Sequence, residues 1–185
     1  MSTQPLEAAI ESTRSVLAAV SKEQLDLSTP CKSWKVSELV NHIVGGQYFF
    51  AACVKGDPPS EGPDFSAGDF VSAFDEASAA CLAAFGEEGA MTKTLTLPFG
   101  QMPGAAFAGL AATDTFTHGW DLAKATGQAT DLAPELAVGL LAGAKQSIQP
   151  AFRGEEGKAP FTAELPAPDG ASNADRLAAF LGRAV

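Results

Sequence analysis

The chain contains two histidines, and each sits in a stretch that could place it for chemistry: His42 in LVNHIVGG and His118 in DTFTHGWDLAKATGQ. Asp114 stands four residues before His118. Residues i and i+4 share one face of a helix, so this acid and this imidazole are predicted to point at one spot. If a neighbouring helix brings His42 to the same spot, two imidazoles and a carboxylate converge. That donor set suits a divalent transition metal, and three protein ligands leave positions open for water and substrate.

Taken singly, each residue also has a plain explanation. His118 on an apolar face reads as a satisfied core histidine, and a buried Asp114 can be neutralised by an arginine such as Arg14. Together with His42 they make a pattern that packing alone does not require. Asp121, three residues past His118, is the rival carboxylate. It reads either as a group that orients an imidazole or as a solvated charge beside Lys124. Asp114 is preferred as the ligand because it sits better on the apolar stripe. Trp34 reads as a packing residue. Trp120 lies about 200° around the helix from His118 at 3.6 residues per turn, and is predicted to face away, against another helix or a partner subunit.

The elements that must position these groups are mostly helical. Periodic apolar residues predict helices over 3–21, 35–54, 67–85, 104–126 and 134–148, and the ending SNADRLAAFLGR predicts a short amphipathic helix. Thr29-Pro30 and the run KGDPPSEGPD break the chain between them. The alternation in Thr94–Leu97 is consistent with a short strand or an extended arm, and 149–171 reads as a long loop. The expected fold is all-α, a four-helix bundle with additional short helices and a minor β element, built as a single domain over 1–185. The loop after the second helix and the segment before the fourth are the expected crossovers.

Composition narrows the function further. Of 185 residues, 46% are hydrophobic and 18% charged, enough apolar material for one core. The formal net charge is -10, with no cluster of Lys or Arg, which argues against nucleic acid and anionic membranes as partners. Three cysteines, Cys31, Cys53 and Cys81, are too few and too scattered for a disulfide framework and suit a reducing cytoplasm. Cys53 falls roughly 16 Å along the helix from His42 at 1.5 Å per residue, Cys81 lies on a core stripe, and Cys31 sits in a loop where it can line a pocket. Neither a leader peptide nor a membrane span is expected.

Three pieces of the sequence, STPCKSWKVSELVNHIVGG, DTFTHGWDLAKATGQ and ADRLAAFLGR, resemble the DinB-like superfamily, and within it the mycothiol-dependent maleylpyruvate isomerase-like metal-binding proteins. The resemblance implies a DinB-type bundle with a divalent metal near one end, held by His42, Asp114 and His118. Zinc is the first expectation, with nickel, iron and manganese as the other candidates. It also implies a low-molecular-weight thiol such as mycothiol as co-substrate, a small electrophile as substrate, and a homodimer as the oligomer to expect. Relatives often carry glutamate at the acid position, where this chain has the shorter Asp114. A large C-terminal extension like that of the isomerase is not expected, so maleylpyruvate itself is not taken as the substrate. The leading expectation is a metal-dependent thiol S-transferase or isomerase. A metal-dependent small-molecule hydrolase and a non-catalytic metal-binding or sensor module stand beside it.

Overall fold

A computed structural model describes residues 2–155, 158–159 and 161–185. Its elements are α1 (Gln4–Leu17), α2 (Val36–Lys55), α3 (Phe70–Gly86), β1 (Thr94–Leu97), β2 (Gly100–Pro103), α4 (Gly104–Thr126), α5 (Pro134–Ser147) and α6 (Asn173–Phe180), with three short 3-10 turns. The all-α expectation with a minor β element is what the chain adopts. The loop expected over 149–171 includes positions 156, 157 and 160, which lie outside the described residues.

Local chemistry explains where the helices begin and end. Glu38 accepts the backbone N–H of Lys35 at 2.8 Å and starts α2. Gly56, at φ 82°, ends it in the left-handed conformation that glycine adopts without penalty. The first helix stops at Leu17 rather than 21, because Gln24 accepts the N–H of Ser21 at 3.0 Å and nucleates a 3-10 turn over Lys22–Gln24. The third starts at Phe70 rather than 67, because the Asp69 carboxylate caps the N–H of Ser72 at 3.1 Å.

Four helices form the bundle: α1 packs on α4 and α2 on α3, while α2 with α4 and α1 with α3 close the ring. The loop after α2 is a crossover, as expected. Asn41, near the start of α2, donates to Asp64 at 2.9 Å and accepts from the N–H of Ser66 at 3.0 Å. The chain after Lys55 has therefore returned along α2 before α3 begins. The segment before α4 is more than a connection: β1 and β2 form an antiparallel hairpin, with Leu97 opposite Gly100. Leu95 and Leu97 are buried, which fastens the hairpin to the core.

The core runs the length of α4, whose Phe107, Phe116, Trp120 and Leu122 are buried along with Leu39 and Val40 of α2 and Phe74 and Phe85 of α3. The α1–α4 contact is unusually close at Gly119. A Cβ there would sit 2.4 Å from Thr13 Oγ1, so only glycine lets the two backbones meet. Thr13 Oγ1 also donates to the carbonyl of Thr115 at 2.8 Å, which fixes the height of α1 against the turn of α4 between Asp114 and His118. No helix among the described residues is long and apolar enough to cross a membrane.

Candidate metal centre

The antiparallel contact of α2 with α4 brings His42, Asp114 and His118 together. One potential donor atom from each lies within 4.8 Å of the other two. His42 Nε2 is 3.8 Å from Asp114 Oδ2, and His118 Nε2 is 3.6 Å from Asp114 Oδ1. Both distances exceed a good direct hydrogen bond. Nε2 of His42 is a buried atom with no hydrogen-bond partner among the described residues, although the side chain as a whole is 36% exposed. Buried polar atoms ordinarily find partners. A divalent cation held among these three donors would give this nitrogen one, and the ligand types are those that zinc, nickel, iron and manganese accept. The residues present therefore fit such a group.

The two imidazoles meet edge to face at 4.5 Å between ring centres, and the Trp34 ring lies 4.6 Å from His42 and 5.6 Å from His118. Trp34 was expected only to pack; it packs, but against both site histidines. The T-P-C-x-x-W stretch explains how it gets there. Thr29 Oγ1 accepts the N–H of Cys31 at 3.1 Å and lies 2.9 Å from the carbonyl oxygens of Cys31 and Trp34. This side chain folds the turn that carries both residues to the site.

A second group of charges lies behind His118. Asp121 is fully buried, which rules out the reading of a solvated charge beside Lys124. Its Oδ2 accepts from Nδ1 of His118 at 3.0 Å and from the Cys31 thiol at 3.4 Å. Arg183, beyond α6, completes the cluster: Nε donates to Asp121 Oδ1 at 3.2 Å and Nη2 to Oδ2 at 3.0 Å. Cys31, His118 and Asp121 are also close enough to hold a cation. The guanidinium of Arg183, 3.8 Å from Cys31 Sγ, already supplies one. Arg14 does not serve Asp114, as the sequence allowed; it pairs with Asp75 of α3 at 2.6 Å. Trp120 faces away from the histidines, as expected, and its Nε1 donates to Asp175 of α6 at 2.9 Å.

Burial works against the charged forms here, and the charges overcome it together. Burial opposes ionisation of Asp114, yet the imidazoles, His118 foremost, hold its carboxyl far below the usual range. Burial likewise opposes the His118 imidazolium, but the nearby charge of Asp114 and the hydrogen bond to Asp121 push its pKa well above the ordinary value. Asp121 is held low, against its burial, by His118 and Arg183. A raised histidine adds stability that is fully present below its unfolded pKa, about 6.5, and is lost as pH rises through the folded value. The lowered aspartates add stability present above about 3.9 and lost as pH falls through their folded values. Thermal melts in a strong chelator are therefore expected to peak between about pH 4 and 6.5 and to decline on the alkaline side. A melting temperature that climbs steadily from pH 6.5 to 9 would contradict this charge arrangement.

Residues 6–123 match the family model described as the mycothiol maleylpyruvate isomerase N-terminal domain. The chain belongs to this family. Two uncharacterised proteins of Mycobacterium tuberculosis, from strains CDC 1551 / Oshkosh and H37Rv, are each 46% identical over 172 residues, covering 92% of this chain and 91% of theirs. The crystal structure of the mycothiol-dependent maleylpyruvate isomerase superposes with a TM-score of 0.59 at 14% identity, over 76% of this chain and 66% of that one. At that identity the likeness concerns the fold. The family segment contains His42, Asp114, His118, Trp34, Cys31 and Asp121; Arg183 lies outside it. Sequence reasoning missed Arg183. The available signal was that a buried Asp121 needs a cation, and the chain has only four arginines from which to supply it.

Proposed function

We propose that this family member is a metal-dependent enzyme that joins a mycothiol-type thiol to a small electrophile, as an S-transferase or a thiol-assisted isomerase. His42, Asp114 and His118 are the metal ligands. The observation that carries the reading is the orphaned Nε2 of His42, which faces a carboxylate and a second imidazole. When bound, a divalent cation supplies Lewis acidity that favours the thiolate form of a thiol, the competent nucleophile.

The chain's own residues do the rest. Asp114 offsets one of the two cationic charges. Trp34 lies against both imidazoles, shielding them from water and limiting their rotation. Cys31 is engaged with Asp121 on the Nδ1 side of His118, opposite the Nε2 that faces Asp114, so the nucleophilic sulfur comes from the co-substrate. Zinc is the first metal to offer, and homodimeric assembly in the cytoplasm accompanies this reading.

The test begins with elemental mass spectrometry on tag-free protein purified without chelator. Near-stoichiometric metal is expected, followed by consumption of an electrophile that depends on both metal and added thiol. Turnover that needs no thiol would replace this reading with a hydrolase. Tight metal binding with no exchangeable ligand would replace it with a structural or sensor module. No uptake of zinc, nickel, iron or manganese would end the metal reading.

A further inference from the structure

We propose that Arg183 is a positioning residue for the candidate metal centre: through Asp121 it holds His118 with Nδ1–H turned inward, so that Nε2 is presented to Asp114 and His42. The inference rests on the metal reading for its purpose, and on the Arg183–Asp121–His118 chain for its content.

The geometry of the chain is specific. Arg183 grips both oxygens of Asp121, at 3.2 Å and 3.0 Å, and the same Oδ2 takes Nδ1 of His118 at 3.0 Å. A carboxylate accepts and cannot donate, so Nδ1 of His118 carries a hydrogen in either protonation state, and whenever the ring is neutral its lone pair falls on Nε2. Asp121 is fully buried, and a lone buried carboxylate would be costly, so the arginine is what allows an ionised acceptor at that depth. A guanidinium fits a carboxylate with two parallel bonds, which fixes the plane of Asp121 and with it the direction of the bond to the imidazole.

The fold takes pains to deliver Arg183. Gly182 ends α6 at φ 89°, and a Cβ there would lie within 1.8 Å of Thr162 Oγ1. The left-handed turn sends the chain back toward α4, and Arg183 N–H closes onto the carbonyl of Ala178 at 2.9 Å. Its Nη1 also donates to the carbonyl of Leu181 at 3.0 Å, so the guanidinium is braced before it reaches Asp121. α6 and the turn after it hold consecutive α4 residues, Asp175 of the helix holding Trp120 and Arg183 of the turn holding Asp121. The segment that orients the site thus comes from outside the part of the chain that matches the family model.

The test compares wild type with Arg183→Met and Arg183→Lys. Zinc affinity is read by competition with a chromophoric chelator. The imidazole N–H resonance of His118 is read in chelator-treated protein, and a melt reports folding. Arg183→Met is expected to weaken zinc binding roughly 10- to 100-fold, the range for loss of a group that orients a ligand. It should also remove the protected downfield Nδ1–H signal. Arg183→Lys keeps the charge but not the fork, and should restore part of both. If Arg183→Met folds, keeps the signal and binds zinc within about threefold of wild type, the proposal is overturned and the metal site stands. If wild type takes up no metal, the N–H signal alone decides: its loss in Arg183→Met supports the positioning role, and its persistence overturns it. Should Arg183→Met fail to fold, Arg183→Lys with an unchanged signal and unchanged affinity overturns it equally.

Discussion

His42→Ala is expected to abolish stoichiometric metal binding while leaving the chelator-treated protein nearly as stable as wild type. Nε2 of His42 has no hydrogen-bond partner among the described residues and the side chain is 36% exposed, so its removal loses the ring contacts with Trp34 and His118 but no hydrogen bond at Nε2. His118→Ala is expected to lose both metal and stability. Its ring is only 10% exposed and lies between Asp114 and Asp121, so the truncation leaves two acids facing a hole. Loss of a direct ligand should exceed the roughly 10- to 100-fold effect of losing a group that orients one. Chelator competition and melts in chelator measure the two quantities separately. Full metal occupancy in His42→Ala would remove that residue from the ligand set. A large drop in its chelated melting temperature would show that the ring is a structural part.

Trp120→Ala should give the largest loss of stability. The indole is fully buried on the longest helix, and its N–H is used by Asp175. Truncations of this kind cost about 3–5 kcal/mol, which for a chain of this size lowers the melting temperature by roughly 6–20 °C. Trp120→Phe keeps most of the apolar volume and loses the bond to Asp175, so about 1 kcal/mol is expected. Equal destabilisation by both variants would mean that the hydrogen bond, rather than the packing, holds α6 to α4. A shift below about 2 °C in Trp120→Ala would contradict the burial.

The helical framework and the convergence of His42, Asp114 and His118 were legible because they rest on periodicity and spacing. The four-residue step from Asp114 to His118 needs only helix geometry, and the apolar stripe of α4 makes the helix. His42 required one further assumption, that α2 lies beside α4, which the bundle supplies. What lay out of reach were contacts made by loops and by distant segments. Trp34 reaches the imidazoles from a turn whose shape depends on one threonine side chain. Asp121 had two readings because periodicity places a residue on a face and does not say what covers that face. The pairing of Arg14 with Asp75 instead of Asp114 follows from α1 lying against α3 as well as α4, a fact of packing order that no local pattern encodes.

The bond between Arg183 and Asp121 has a consequence for the order in which the molecule is made. Translation delivers His42, Asp114, His118 and the buried acid long before it delivers the arginine, 62 residues after Asp121. Domains fold as units while synthesis proceeds from the N-terminus. The emerging chain can assemble α1 to α4 with Asp121 held by His118 and Cys31 but without its arginine. Until the segment after α6 is made, Asp121 therefore lacks the two bonds that Arg183 supplies in the finished fold.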